Sequence, residues 1–167
     1  AGTPADAGDA VRLLPHTNKK WMVNTKIEGD TPTSDDLENS KIEVVAEEFD
    51  KLYFVFAGMG ANRQSRDMSD VSRVFYGQRD SSYDKAVQLM ADAAFEDALD
   101  LLEQAAGSRV IWVPQYAMWA TVRCYEAMGD PDAALQAIED LTKKFPRTKY
   151  LVDARIKAGL MRLQFKN

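Results

Sequence analysis

The sequence has little of the chemistry that most enzyme sites use. It contains one cysteine, Cys124, and one histidine, His16, among 167 residues. A single cysteine excludes an intramolecular disulfide and a cysteine-based zinc cluster. We interpret His16, in a Pro-His-Thr-Asn turn, as a solvated side chain, and Cys124, on a predicted helix, as a buried thiol. Because nucleophilic catalysis needs a nucleophile, a base and an orienting group, we find no catalytic constellation.

Long apolar runs and excess positive charge are also absent. No stretch of about 18 consecutive apolar residues occurs, so we predict no membrane-spanning helix. The net charge is -5 and the pI about 5.0, which argues against a general nucleic-acid binder. With 46% hydrophobic and 28% charged residues, the chain can bury a core.

No segment matches a metal or cofactor motif. Asp35, Asp36 and Glu38 lie in a polar loop that lacks the glycine-punctuated spacing of an EF-hand. The turn at Gly58 and Gly60 lacks the dinucleotide pattern and the lysine of a phosphate loop. We therefore predict no catalytic residue, no metal ligand and no cofactor. A metal-dependent or carboxylate-based enzyme remains the alternative from a different class.

The N-terminal half of the sequence contains a set of predicted strands. The strongest, at 50–57, is aromatic and β-branched, and a short turn joins it to an alternating stretch at 41–47. The other predicted elements are a strand at 21–27, a polar loop at 29–40, an edge strand at 63–67, and a helical turn with a last strand at 68–77. We predict a small antiparallel β module at 11–78, with a barrel-like arrangement left open, after a flexible N-terminus at 1–10.

From residue 79 onward the period becomes helical, with apolar residues at i, i+3, i+4 and i+7. Gly129 suits the left-handed position that ends a helix, Asp130 can cap the next helix, and Pro131 suits its first turn. Together with the β module, the helices at 79–167 predict an α+β protein. The last helix, at 148–165, carries an apolar stripe of Ile156, Leu160 and Leu163.

Two of these helix pairs repeat one pattern. The segment at 95–99 matches the segment at 131–135, a shift of 36 residues, and Ala93 stands where the second pair has Gly129. The positions that carry the pattern in the second pair are Ala117, Tyr125, Gly129, Ala134, Ile138, Leu141, Phe145, Pro146 and Thr148. This spacing resembles the tetratricopeptide repeat, in the variety found in bacterial envelope proteins.

The resemblance implies about five helices stacked as helical hairpins, and a non-enzymatic protein-interaction or scaffold subunit. It places Tyr83, Tyr116, Trp119 and Arg123 along a groove that binds a protein partner of unknown identity. The alternative is that Tyr116 and Trp119 pack against the neighbouring helix pair or the β module. It also implies a periplasmic or exported protein of the bacterial cell envelope, which the small, polar first residues suit; a cytoplasmic location is the other expectation.

Charge divides the helical region into two parts. Residues 80–140 hold twelve acidic and three basic residues, whereas 141–167 hold eight basic residues and one acid. The basic end comprises Lys143, Lys144, Arg147, Lys149, Arg155, Lys157 and Arg162, with Lys166. These charges are either solvated faces or a surface for an acidic partner: another copy, a larger assembly or anionic lipid. The alternative function is thus a structural subunit of a homo-oligomer or filament with head-to-tail charge complementarity. We expect the last helix to cap the array.

Overall fold

The computed structural model describes residues 7 to 22 and 27 to 165. The chain divides into two compact units, Ala1–Arg79 and Asp80–Asn167. Within the described ranges, the first unit holds six strands in two antiparallel sheets, one short α-helix and two 3-10 turns, and the second holds five α-helices. The protein is therefore α+β. None of the helices in these ranges is long and apolar enough to cross a membrane.

The first unit contains two separate three-stranded sheets with orders β2-β1-β6 and β3-β4-β5. Its strands are β1 Ala10–Leu13, β2 Trp21–Met22, β3 Ile42–Glu47, β4 Lys51–Phe56, β5 Gln64–Asp67 and β6 Val71–Phe75. The strands at 41–47, 50–57 and 63–67 and the helical turn before the last strand appear close to their predicted places. The described strands form no closed barrel, so the barrel-like option is wrong.

Of two other predictions for this unit, one lies partly outside the described residues and one needs correction. The predicted strand at 21–27 is seen as Trp21–Met22, and residues 23–26 lie outside the described residues. The predicted loop at 29–40 contains the helix α1, Ser34–Glu38. It begins at a capping box in which Asp36 N–H donates to Thr33 Oγ1 at 3.2 Å and Thr33 N–H to Asp36 Oδ2 at 2.7 Å. Local capping thus makes a helix where composition indicated a loop.

Asp9 connects the two sheets of the first unit. Its carboxylate accepts hydrogen bonds from the backbone N–H of Val44 at 2.8 Å and of Gly77 at 2.9 Å. Gly77 follows β6, and a Cβ there would clash with the Gly8 carbonyl oxygen. Burial raises the pKa of Asp9 to about 6, against the effect of the two backbone donors. Residues 7–10 are therefore packed, and the prediction that they belong to a flexible N-terminus is wrong.

The second unit consists of successive antiparallel helices. They are α2 Ser81–Ala91, α3 Phe95–Ala106, α4 Val113–Met128, α5 Pro131–Lys144 and α6 Leu151–Gln164. The helix α4 contacts both α3 and α5, so it lies at the centre of the unit. Small residues at the contacts, Ala98 and Ala134, are fully buried and let the helices approach closely.

The last helix packs differently from the prediction. It buries Ala154, Ala158 and Met161, the first two in a cluster with Val122 and Ile138. The predicted apolar stripe lies on the opposite side, where Ile156, Leu160 and Leu163 are exposed. A helix turns by roughly 100° per residue, so positions two apart, such as Ala154 and Ile156, point in nearly opposite directions. Small side chains make this contact, and the large apolar residues of the predicted stripe do not.

Candidate interaction surfaces

Five aromatic side chains form a continuous row in the second unit, which we call the aromatic row. It comprises Tyr83, Trp112, Tyr116, Trp119 and Tyr150. Edge-to-face contacts join Tyr83 to Trp112 at 5.2 Å, Trp112 to Tyr116 at 5.1 Å and Tyr116 to Tyr150 at 5.8 Å between ring centroids. The row ends where Trp119 stacks on Tyr150 at 4.8 Å and an interplanar angle of 10°.

The row is built from three helices of the second unit. Tyr83 lies in the first turn of α2, Trp112 through Trp119 open α4, and Tyr150 directly precedes α6. On α4, Tyr116 and Trp119 are three residues apart and share one face. The structure thus brings together three of the four predicted groove residues. It leaves all members except Trp112 partly exposed, so ring edges remain accessible to a ligand.

Two lysines of the predicted basic end lie against this row. Lys149 Nζ donates to Tyr116 Oη at 3.0 Å and lies 4.9 Å from the centroid of the same ring. Lys157 Nζ lies 5.9 Å from the Trp119 ring and forms an ion pair with Glu126 at 2.7 Å. Cations above aromatic faces are attracted by the negative face of the ring. These two lysines therefore orient the rings, which the charge count by itself could not indicate.

Arg123 is the fourth predicted groove residue, and it stays apart from the ring contacts. It lies one turn beyond Trp119 on α4 and is exposed. Among the described residues it makes no ring contact, hydrogen bond or ion pair. The predicted surface therefore has an aromatic part that is held in place and a free cation at its end.

Sequence reasoning missed Trp112 and gave Tyr150 no role in the groove. Trp112 immediately precedes α4 and is 8% exposed. The signal that indicates it is the spacing of Trp112, Tyr116 and Trp119, which places three aromatic residues along one side of a helix start. Tyr150 comes from the other end of the unit, so only the tertiary fold brings it to the row.

The other members of the basic end are spread over the surface. Lys143, Lys144, Arg147, Arg155 and Arg162 are all exposed. Lys144 Nζ donates to the Ala106 carbonyl oxygen at 3.0 Å, at the end of α3. Arg162 Nη2 lies 3.7 Å from Glu139 Oε1, with both side chains more than half exposed. Pairs of this kind contribute little stability, so the arginine can be released to another acidic group.

A groove lies between α3 and α5, with α4 as its floor, and sequence reasoning did not predict it. Its volume is about 600 Å³. Apolar side chains on its floor and sides include Leu99, Met118 and Tyr125. Exposed carboxylates line it, namely Glu96, Asp100, Glu103 and Asp140. We call it the acidic groove.

The exposed side of α6 is the third candidate surface, which we call the α6 outer face. Val152, Ile156, Leu160 and Leu163 are each 55 to 72% exposed. Their spacing of i, i+4, i+8 and i+11 places them in one stripe along the helix. Such a row of large apolar side chains is unusual on a surface that only water contacts.

His16, Cys124 and Asp36 each have a defined structural environment. His16 Nε2 is 2.9 Å from Asp70 Oδ1, and the histidine is exposed. The Cys124 side chain is fully buried, and burial raises the pKa of its thiol. Asp36 serves in the capping box of α1. Across residues 7–22 and 27–165, no group of three or more His, Cys, Asp or Glu side chains is placed to hold a metal ion.

Comparisons with known proteins identify no relative: no protein-family model matches this chain, and no curated protein or solved structure does.

Proposed function

We propose that this chain is a non-enzymatic protein-interaction subunit that binds an extended segment of a partner protein along the aromatic row. The observation that carries the proposal is the row itself, with five linked rings at centroid distances of 4.8 to 5.8 Å from neighbour to neighbour. Tyrosine and tryptophan dominate the energetics of protein interfaces, because a rigid ring buries much apolar area at low cost in conformational entropy.

The row also defines the chemistry of the partner segment. Exposed ring edges suit apolar side chains such as proline or leucine, and the exposed Arg123 suits a carboxylate one turn further along α4. The contacts that Lys149 and Tyr116 make hold the rings in place before binding. Pre-organised rings lose little freedom on association, which favours affinity. The partner segment is therefore extended, apolar and acidic towards one end.

The proposal includes the family resemblance and the location that it implies. A tetratricopeptide-like array uses the first helix of each hairpin to line its groove, and here the row lies at the starts of α2, α4 and α6. A bacterial envelope location belongs to the same proposal. The backbone repeat between the turns at Ala93 and Gly129 supports the stacked-hairpin part of it.

Selection from a random-peptide display library against the full chain tests this function. We expect peptides that combine apolar residues with a carboxylate, and a loss of about 30-fold in affinity for Trp119→Ala, because tryptophan anchors contribute about 2 kcal/mol or more. Arg123→Glu should weaken binding of the acidic peptides in a salt-dependent way.

Matched controls come from the same region of the chain. Tyr125→Ala removes a partly buried ring from the opposite side of α4, in the acidic groove, and Arg109→Glu reverses another exposed charge. Both controls should keep wild-type affinity. Selected peptides that bind Trp119→Ala as tightly as the wild type would contradict the assignment of the aromatic row.

A further inference from the structure

The α6 outer face and the acidic groove have complementary properties. The face is a ridge of four exposed apolar side chains, and the groove is a cleft with apolar residues at its base. Ridges of side chains at i, i+4 spacing pack into grooves between the side chains of other helices. The ridge and the cleft lie on different helices of one compact unit, so the two surfaces are carried by every copy.

We propose that the α6 outer face of one copy docks into the acidic groove of a second copy. Val152, Ile156, Leu160 and Leu163 then enter the cleft between α3 and α5. They contact the apolar floor that Leu99, Met118 and Tyr125 provide.

Charge supports the same pairing. Arg155 and Arg162 follow one edge of the α6 outer face, since they lie roughly 100 to 120° from Ile156 around the helix. Among the described residues Arg155 has no ion pair, and Arg162 has only its long contact with Glu139. In the groove, Glu96, Asp100 and Glu103 make no ion pair or hydrogen bond with described residues. On the arginine edge of the face, docking therefore brings unpaired cations next to unpaired carboxylates, while the exposed Asp153 lies on the other edge.

An antiparallel symmetric pairing of two α6 outer faces fits less well. In an antiparallel two-fold pair, the same edge of both helices meets along one seam. Arg155 of each copy would then lie near Arg162 of the other, and like charges would oppose each other. The heterologous contact avoids this repulsion. Because its two surfaces are different, it leaves a free groove and a free α6 face after each addition, and it extends to a chain or closes to a ring.

This contact is independent of the proposed peptide binding. It uses the cleft side of α3 and α5 and the outer side of α6, whereas the aromatic row uses the starts of α2 and α4 with Tyr150. Failure of one proposal therefore does not imply failure of the other. A single helix in a cleft is a small interface, so we expect weak, concentration-dependent association.

Analytical ultracentrifugation of the full chain tests the proposal. The average mass should rise with protein concentration and fall as salt is added, because exposed charges are screened. Leu160→Ser with Leu163→Ser disables the ridge at exposed positions, and Asp100→Lys with Glu103→Lys disables the groove. Each double variant should sediment as a monomer. An equal mixture of the two should give a 1:1 dimer that grows no further, since only one working ridge and one working groove remain.

Control variants carry matched changes elsewhere. Met59→Ser with Ile111→Ser removes two exposed apolar side chains, and Asp97→Lys with Asp132→Lys reverses two exposed acids beside the groove. Both should associate like the wild type. A wild-type chain that stays monomeric at high concentration and low salt overturns the proposal, as does a mixture that gives no dimer. So does a monomer that binds anionic vesicles through Leu160 and Leu163, because the face then serves a membrane.

Discussion

The hairpins α2–α3 and α4–α5 have the same turn but not the same turn residues. Ala93 and Gly129 both adopt a left-handed conformation, with φ of 61° and 74°. The backbone bond from Ala94 N–H to the Leu89 carbonyl, at 2.8 Å, matches that from Asp130 N–H to the Tyr125 carbonyl, at 2.9 Å. Each of these positions in the first hairpin lies 36 residues before its counterpart in the second. The backbone therefore repeats where the sequence does not.

The difference shows which forces hold each turn. Gly129 adopts the left-handed region without a steric cost, and the Asp130 side chain accepts a hydrogen bond from Ala133 N–H at 3.0 Å. In the first hairpin, Ala93 adopts the same region at a steric cost, and Ala94 has no side chain that could accept a capping hydrogen bond. Packing of α3 through Ala98, Leu102 and Ala105, all fully buried, has to compensate. Tertiary contacts thus hold the left-handed turn of the first hairpin, whereas the local sequence favours the same turn in the second.

Core truncation gives the largest expected effect and tests whether both hairpins rely on packing. Leu102→Ala and Ile138→Ala, at equivalent positions, should each lower the free energy of unfolding by about 3 kcal/mol, through lost transfer energy and a cavity. Urea denaturation followed by circular dichroism measures this. Leu163→Ala, at a position 72% exposed, is the control and should change little. A much smaller loss at Leu102 would mean that the first hairpin is not held by packing.

The stability of the first unit should depend on pH, because this unit contains the buried carboxyl group of Asp9. The pKa of Asp9 is raised from 3.8 to about 6, so the folded state binds the proton more tightly than the unfolded state. Its stabilising contribution is complete below about pH 4 and is lost as the pH rises through 6. NMR titration of the Asp9 carboxyl carbon should give a midpoint near 6, and the free energy of unfolding of the first unit should fall as the pH rises through it.

A normal midpoint for Asp9, near that of an exposed carboxyl, would contradict the role of burial. The hairpin variants should be compared at one fixed pH, so that the titration of Asp9 does not contribute to differences between them.

Exchanging the turn residues should give opposite signs in the two hairpins. Ala93→Gly should raise the free energy of unfolding and Gly129→Ala should lower it, each by about 1 kcal/mol, because only alanine is strained at positive φ. Thermal unfolding measures both changes. Ala91→Gly, at the last residue of α2, is the control and should not stabilise, because the residue there is helical and has no positive φ. A destabilising Ala93→Gly would show that the left-handed turn costs the first hairpin nothing.

Capping gives the smallest expected effect. Ala94→Asp should supply the cap that α3 lacks and stabilise by about 0.5 kcal/mol, whereas Asp130→Ala should remove the cap of α5 and cost about 1 kcal/mol. Ala94→Asn tests the hydrogen bond without the added charge. If Ala94→Asp stabilises and Ala94→Asn does not, the helix dipole and not the cap bond is responsible.

Much of the fold could be predicted because local signals agreed with it. Gly129, Asp130 and Pro131 define a helix boundary through backbone conformation and capping alone. The alternation in 41–47 and 50–57 likewise predicted β3 and β4. The helix α1 was not predicted because its signal is a capping box of two residues, Thr33 and Asp36, within a segment whose polar composition indicates a loop. The packing side of α6 was missed because periodicity shows that a helix has an apolar stripe, and not whether anything covers it.

The sequence by itself determined the class of the protein, the boundary between α4 and α5 and three of the rings in the aromatic row, because propensity, capping and periodicity act over a few residues. Only the tertiary structure decided that Tyr150 completes the row, that a cleft opens between α3 and α5, and that α6 turns its large apolar side chains outward. Those outcomes depend on contacts between residues far apart in the chain, where small side chains such as Ala154 and Ala158 set how closely helices approach.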